Sequence, residues 1–328
     1  MTFEKNMRMA LVAGVLMTGV TACEKETPGD NNGTQGGGSA TAYVTKVLEY
    51  CPAPGQFVNT MPAYEEGDTY EDMKRKVLEC IGGNKRGMIT LGGYGGYVVV
   101  GFDHTIQNVK NKADFKVLGN AFDGSSEPGI IMVAYDKNKD GVPNEDEWYE
   151  IAGSAHTGTE TWYEDARQAG NIVELYKGYS MTYKRPAAEP STEEEKQKYI
   201  AWTDNKGHSG FKVKNEYHNQ PYFPQWVETD ELTFTGTCLP QNGVNTGDEQ
   251  NPYFKLSSFS YGYADNVPDS NEKSAIDIDW AVDAQGNPAN LPGVDFIKIY
   301  TGVNQENGWI GECSTEVMGV VDLNILED

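Results

Sequence analysis

The densest chemistry in this sequence lies between Asp136 and Glu147, where Asp136, Asn138, Asp140, Gly141 and Glu147 fill every defined place of D-x-[DN]-x-[DN]-G-x5-E. A calcium loop needs oxygen donors on alternating residues, a turn at positive φ, one backbone carbonyl and a closing bidentate carboxylate. Asp136, Asn138, Asp140, the carbonyl of Val142, Asn144 through water, and Glu147 can supply them, with Gly141 at the turn. A structural Ca²⁺ is expected here. Pro143 departs from the usual aliphatic residue, and the flanks read as strands, which favours a calcium loop inside a β protein over a paired helix–loop–helix sensor. An ion-free hairpin loop would use the same turn residues. A second acidic stretch, Asp265, Asn266, Asp269, Asn271, Asp277 and Asp279, lacks fixed spacing and is expected to be a solvated loop.

Aromatic and polar side chains concentrate between Trp202 and Trp226. Flat rings stack on sugars or planar ligands, and Asn, Gln and Asp orient them by hydrogen bonds. Trp202, Asp204, Asn205, Tyr217, His218, Tyr222 and Trp226 are therefore the candidate ligand-binding residues. Taken singly, each of these rings fits local core as well. His104, His156, His208 and His218 show no HExxH spacing, so a zinc hydrolase is not supported, although His218 could meet the cobalt of a corrinoid. No G-x-S-x-G elbow is present, and catalytic residues are not assigned. A pair of carboxylates for glycoside hydrolysis stays open, because their separation is a property of the fold. The run Gly92-Gly93-Tyr94-Gly95-Gly96 lacks phosphate-loop spacing and reads as a turn before a buried strand.

These residues must be held by strands. Segments 97–102, 115–118, 130–135, 148–151, 179–183, 231–237, 296–300 and 317–321 carry β-branched and aromatic residues, several in alternation. Helical spacing is confined to 68–81, which ends on Gly82-Gly83, and to the polar stretch 192–200. The expected fold is all-β, an antiparallel β-sandwich of jelly-roll kind with one or two short helices. The likeness of Asp114–Gly119 to Asp295–Tyr300 would suit equivalent strands of such a roll. Residues 186–230 read as a long insertion or connection.

The first residues follow the order of a secretory signal: Lys5 and Arg8, the apolar run 9–20, then Thr21-Ala22 before Cys23. Val20-Thr21-Ala22-Cys23 resembles a bacterial lipobox, which implies removal of 1–22 and lipidation of Cys23. Residues 23–42 form a Gly- and Asn-rich tether, and 43–328 a single elaborated domain. Lys and Arg number 26 against 49 Asp and Glu, a net charge of −23 that repels polyphosphate and argues against nucleic acid. Contact with a membrane is expected only through the lipid. Cys51, Cys80, Cys238 and Cys313 could pair as disulfides or remain buried thiols.

At Cys51-Pro52-Ala53-Pro54-Gly55, Leu91-Gly92-Gly93-Tyr94-Gly95-Gly96-Tyr97, Gly101-Phe102-Asp103-His104, Gly119-Asn120-Ala121-Phe122 and Ser126-Glu127-Pro128-Gly129 the chain resembles a family of cell-surface lipoproteins of gut Bacteroidota. The likeness continues at Trp148-Tyr149-Glu150, Trp202-Thr203-Asp204-Asn205, Gly262-Tyr263-Ala264-Asp265 and Ile278-Asp279-Trp280. Glu24-Lys25-Glu26 resembles the export signal that sends such proteins to the outer face of the outer membrane. The resemblance implies a jelly-roll domain similar to carbohydrate-binding modules, which captures a nutrient, a glycan or a corrinoid, beside a TonB-dependent transporter. The rival expectations are a glycan-active hydrolase or lyase, and an adhesive or structural surface protein with a protein partner.

Overall fold

In the computed structural model, which describes residues 40–248 and 250–326, every pairing between named strands is antiparallel. The largest sheet has six strands in the order Lys46–Cys51, Tyr97–Gln107, Gly293–Thr301, Gly129–Ala134, Trp148–Ile151 and Ala281–Val282. Its central strands bury both faces. Val98, Val100, Ile131, Val133, Ile297 and Ile299 enter one core cluster, whereas Ile130, Met132 and Tyr300 pack into another. That double burial is why the sequence there runs as continuous apolar residues, Ile130-Ile131-Met132-Val133, without alternation.

The first core also receives Phe115, Val117, Ile276 and Val320 from a three-stranded sheet of Ala275–Ile276, Phe115–Leu118 and Gly319–Asp322. Met73, Val77 and Ile81 come from the helix Tyr70–Ile81. That helix forms where expected because Thr69 caps the N–H of Asp72 at 3.2 Å while the Asp72 carboxylate takes the N–H of Thr69 at 3.0 Å. Truncating one of the fully buried aliphatic residues of this core to Ala would cost roughly 2–5 kcal/mol.

A four-stranded sheet, in the order Glu231–Cys238, Tyr176–Lys184, Ile200–Asp204 and Ser209–Lys212, carries an aromatic core of its own. Here alternation is clear: Tyr179, Met181 and Tyr183 on one strand and Leu232 and Phe234 on its neighbour turn inward. Tyr97 of the six-stranded sheet meets Phe234 edge to face at 6.3 Å, which joins the two sheets.

Several expectations change. Residues 186–230 are not wholly a connection, since Ile200–Asp204 and Ser209–Lys212 are hydrogen-bonded strands. The described residues hold four α-helices, not one or two; Ser154–Thr157 and Tyr163–Gln168 are too short to show a helical period. The polar helix is limited to Glu193–Gln197. Asp114–Gly119 and Asp295–Tyr300 contribute strands to different sheets, each strand lying between two partners. The Gly-rich run does form a turn before Tyr97–Gln107. A Cβ on Gly92, at φ +67°, would lie 1.9 Å from the carbonyl oxygen of Ala53. Cys51, Cys80, Cys238 and Cys313 are free thiols.

Lys5, Arg8, Cys23 and almost all of the tether lie outside the described residues. Within the tether's last residues, Ala42 is buried and its carbonyl accepts the N–H of Asp322 at 2.8 Å. No helix among the described residues is long and apolar enough to cross a membrane.

Candidate functional site

Trp202 and Asp204 lie two residues apart on one strand, so both side chains leave the same face. The indole of Trp202 lies across the neighbouring strand at Gly210, its register partner, where a Cβ would come within 2.7 Å of the ring. Gly210 thus clears the floor on which the ring rests. Asp204 sits at the start of a tight turn. Its Oδ1 accepts the N–H of Lys206 at 2.9 Å and of His208 at 2.7 Å, and Gly207 takes φ +90°.

The other oxygen of Asp204 organises the surrounding side chains. Oδ2 accepts the Tyr179 hydroxyl at 2.8 Å and lies 2.8 Å from Nδ1 of His208, and Asn304 donates to the Tyr179 hydroxyl at 3.1 Å. Burial pushes the Asp204 carboxyl up, yet the hydrogen bonds from His208 and Tyr179 and from the turn N–H groups outweigh it, leaving its pKa below the usual range. Burial, then the bond to Asp204, raises the Tyr179 phenol, so it remains a neutral donor.

Above this network opens a cleft of about 260 Å³. Tyr176, Trp202 and Phe211 give it aromatic faces, and Asp204, His208, Asn304, Gln305 and Glu306 give it polar ones. Tyr176 stacks on Tyr179 with centroids 6.0 Å apart, and Phe211 is 42 % exposed. Cys238 lines the cleft as a buried thiol whose pKa burial pushes up to about 12, which makes it a poor nucleophile at neutral pH.

Of the seven sequence candidates, Trp202 and Asp204 line this cleft. Asn205 secures the turn beneath it: its Oδ1 accepts the N–H of Ser180 at 3.2 Å and its Nδ2 donates to the carbonyl of Gly178 at 2.8 Å. Tyr217 is exposed elsewhere, and His218 packs against Phe57 at 4.7 Å, where burial lowers its pKa. Tyr222 and Trp226 are core residues; Trp226 stacks on Tyr50 at 5.8 Å and Tyr222 packs on Tyr199 at 5.4 Å. Sequence reasoning missed Tyr176, Tyr179 and Asn304 because they come from segments that the fold alone brings to Trp202.

The loop from Asp136 to Glu147 joins two paired strands of the six-stranded sheet. Asp136 accepts the N–H groups of Asp140 and Gly141 at 3.2 and 2.9 Å, and Gly141 takes φ +80° as the motif requires. Glu147 closes the loop by accepting the N–H groups of Lys137 and Asn144 at 2.9 and 3.0 Å. The amides of Asn138 and Asn144 donate to one oxygen of Asp140 at 2.9 and 3.2 Å. The Oδ1 of Asn138 in turn accepts the N–H of Asp140 at 3.0 Å, so the loop's side chains are engaged with one another, while Asp, Asn, Glu and a backbone carbonyl are the kinds of oxygen donor that Ca²⁺ takes. Asp136, Asp140 and Glu147 do not form a converging group of carboxylates among the described residues.

Carboxylates do converge at Glu127, Asp265 and Glu316, which offer oxygens within 4.8 Å of one another. The solvated-loop expectation therefore fails at its first residues: Asp265 and Asn266 are 4 and 2 % exposed. Asp265 accepts the N–H groups of Asn120 and Ala121 at 2.9 Å each and of Glu316 at 3.0 Å. Burial first, then mutual repulsion, raises the pKa of Glu127 and of Glu316; burial raises that of Asp265, with its three N–H donors opposing.

No protein-family model matches this chain, and no curated protein matches it.

Proposed function

We propose that this protein is a surface lipoprotein whose cleft binds a glycan and delivers it toward a TonB-dependent outer-membrane transporter. The cleft carries that reading: aromatic faces from Tyr176, Trp202 and Phe211 stand beside a fixed set of hydrogen-bonding groups, Asp204, His208, Asn304 and Gln305. Sugar rings ask for this pairing of stacking surface and oriented polar atoms. Between the two nutrients, a glycan is favoured over a corrinoid. A space of about 260 Å³ suits sugar rings better than a corrin macrocycle, and His218 does not line it. Titrating the protein calorimetrically with neutral, amino and acidic oligosaccharides and with cyanocobalamin tests the choice. Saturable binding of a sugar that Trp202→Ala removes supports the reading, and binding of the corrinoid alone overturns it.

We read the two larger sheets as an elaborated β-sandwich of jelly-roll kind, and the 136–147 loop as its structural Ca²⁺ site. Asp136, Asn138, Asp140, Val142, Asn144 and Glu147 would hold the ion, in exchange for hydrogen bonds that the loop now makes within itself, among them those from both amides to Asp140. Ca²⁺ should raise the melting temperature of the parent protein and not of Asp136→Ala or Glu147→Ala. A rise lost instead in Glu316→Gln would assign the ion to the buried carboxylates.

One observation favours hydrolysis as a second reading. Glu150 and Asp283 line another cavity, of about 290 Å³, with Trp148 at its wall. The Glu150 carboxylate is fixed by His156 Nε2 at 2.5 Å and by the Thr237 hydroxyl at 2.8 Å. Product release from an oligosaccharide that Glu150→Gln abolishes would establish it.

A further inference from the structure

The charges around the cleft are lopsided. Glu174, Asp204 and Glu306 line it, and among the described residues the one ammonium over its aromatic wall is that of Lys206, above Tyr176. Glu306 is balanced from behind by Lys212, whose ammonium lies 2.8 Å away and whose side chain is 2 % exposed. The Asp204 side chain is 1 % exposed and its two oxygens already serve Tyr179, His208 and two turn N–H groups, whereas Glu174 is exposed at the rim and is the acid that a ligand meets. The aromatic faces add to this preference, because the face of an aromatic ring carries negative potential. The chain already demonstrates the point: the ammonium of Lys206 sits over the Tyr176 ring, 4.9 Å from its centroid. A cation is thus the group that this wall of the cleft accepts.

We propose that the cleft selects glycans bearing free amino groups, un-acetylated hexosamines, whose ammonium takes the place of Lys206 over Tyr176 beside Glu174. This rests on the reading of the cleft as a glycan site and narrows its ligand class. An N-acetylated sugar could use the same rings but would gain nothing from the carboxylates. A uronic acid would be repelled by them.

The test is calorimetric titration of the protein with trimers of glucosamine, N-acetylglucosamine and galacturonic acid, at about pH 6, where the sugar amine carries its proton. The glucosamine trimer should bind about tenfold more tightly than the acetylated one, with the acidic trimer weakest. Glu174→Gln should narrow that gap, and Lys206→Met should tighten the amine by freeing the Tyr176 face. Trp202→Ala leaves the net charge unchanged, so loss of binding in that variant separates the cleft from general attraction of a cationic sugar to an acidic protein. Equal or tighter binding of the acetylated trimer overturns the selectivity while leaving a sugar-binding cleft in place. Binding of none of the three, or binding indifferent to Trp202→Ala, overturns the cleft itself.

Discussion

In the cleft, Asp204 receives hydrogen bonds from Tyr179, His208 and two backbone N–H groups, whereas the half-buried Glu127 meets the buried Asp265 and Glu316. The chemical group is the same and its pKa moves in opposite directions: below the usual range in Asp204, above it in all three of the others. At Asp204 the donors outweigh burial and the charge is kept, whereas the three N–H donors of Asp265 are outweighed by its deeper burial. Carboxylates crowded together must take up protons or share a cation. The first arrangement suits recognition, and the second ties stability to pH.

The sharpest break in that comparison is Asp265→Ala. It would strand the N–H groups of Asn120, Ala121 and Glu316, and is expected to cost about 3–5 kcal/mol in urea unfolding. A cost under about 1 kcal/mol would mean that these groups find other partners.

Next comes pH. Folding raises Glu127 from 4.5 to about 8 and Asp265 from 3.8 to about 7, so the native state binds more protons than the unfolded chain between those limits. Their contribution is fully present below about pH 4 and is lost as the pH rises through 7 and 8. Unfolding free energy should fall by a few kcal/mol between about pH 5 and pH 8.5, less steeply in Glu316→Gln, which removes one repelling charge. A flat profile, or one that rises with pH, would show the cluster to be held by something other than protons.

In the cleft, Trp202→Ala should weaken sugar binding by about 2 kcal/mol, roughly thirtyfold, with little change in melting temperature, since the ring is only partly buried. A large loss of stability instead would make Trp202 a core residue. The smallest effect is expected in the exposed loop. Gly141→Ala meets no atom within 4 Å, yet its φ of +80° should cost about 1 kcal/mol in the parent protein. It should also weaken any calcium-dependent rise in melting temperature. No change in either quantity would show that the loop's turn is not under constraint.

What the sequence disclosed follows the range of the interactions. The strands around 97–107, 129–134 and 293–301 and the helix after Thr69 are legible because burial and capping act within a few residues. The 136–147 loop is legible for the same reason, its turn and hydrogen bonds being local. Trp202 and Asp204 stand out only as members of an aromatic and polar stretch, because the strand that carries them lies in a segment that reads as a connection. Tyr179 and Asn304 carry no such mark, since they act only once Tyr176–Lys184 pairs with Ile200–Asp204 and the segment after Thr301 folds over them. Asp265 was hidden by company: Asp, Asn, Pro and Ser around it have a loop composition, while its burial depends on residues near 120 and 316.

The measurement that bears most directly on the cleft is a ¹⁵N-resolved titration of the indole N–H signals with the glucosamine trimer. Binding between Tyr176 and Trp202 predicts a saturable shift of the Trp202 signal, with the signals of buried Trp226 and of Trp309, which donates to the carbonyl of Pro252, unmoved. A Trp202 signal that stays fixed while any other tryptophan signal shifts would contradict it.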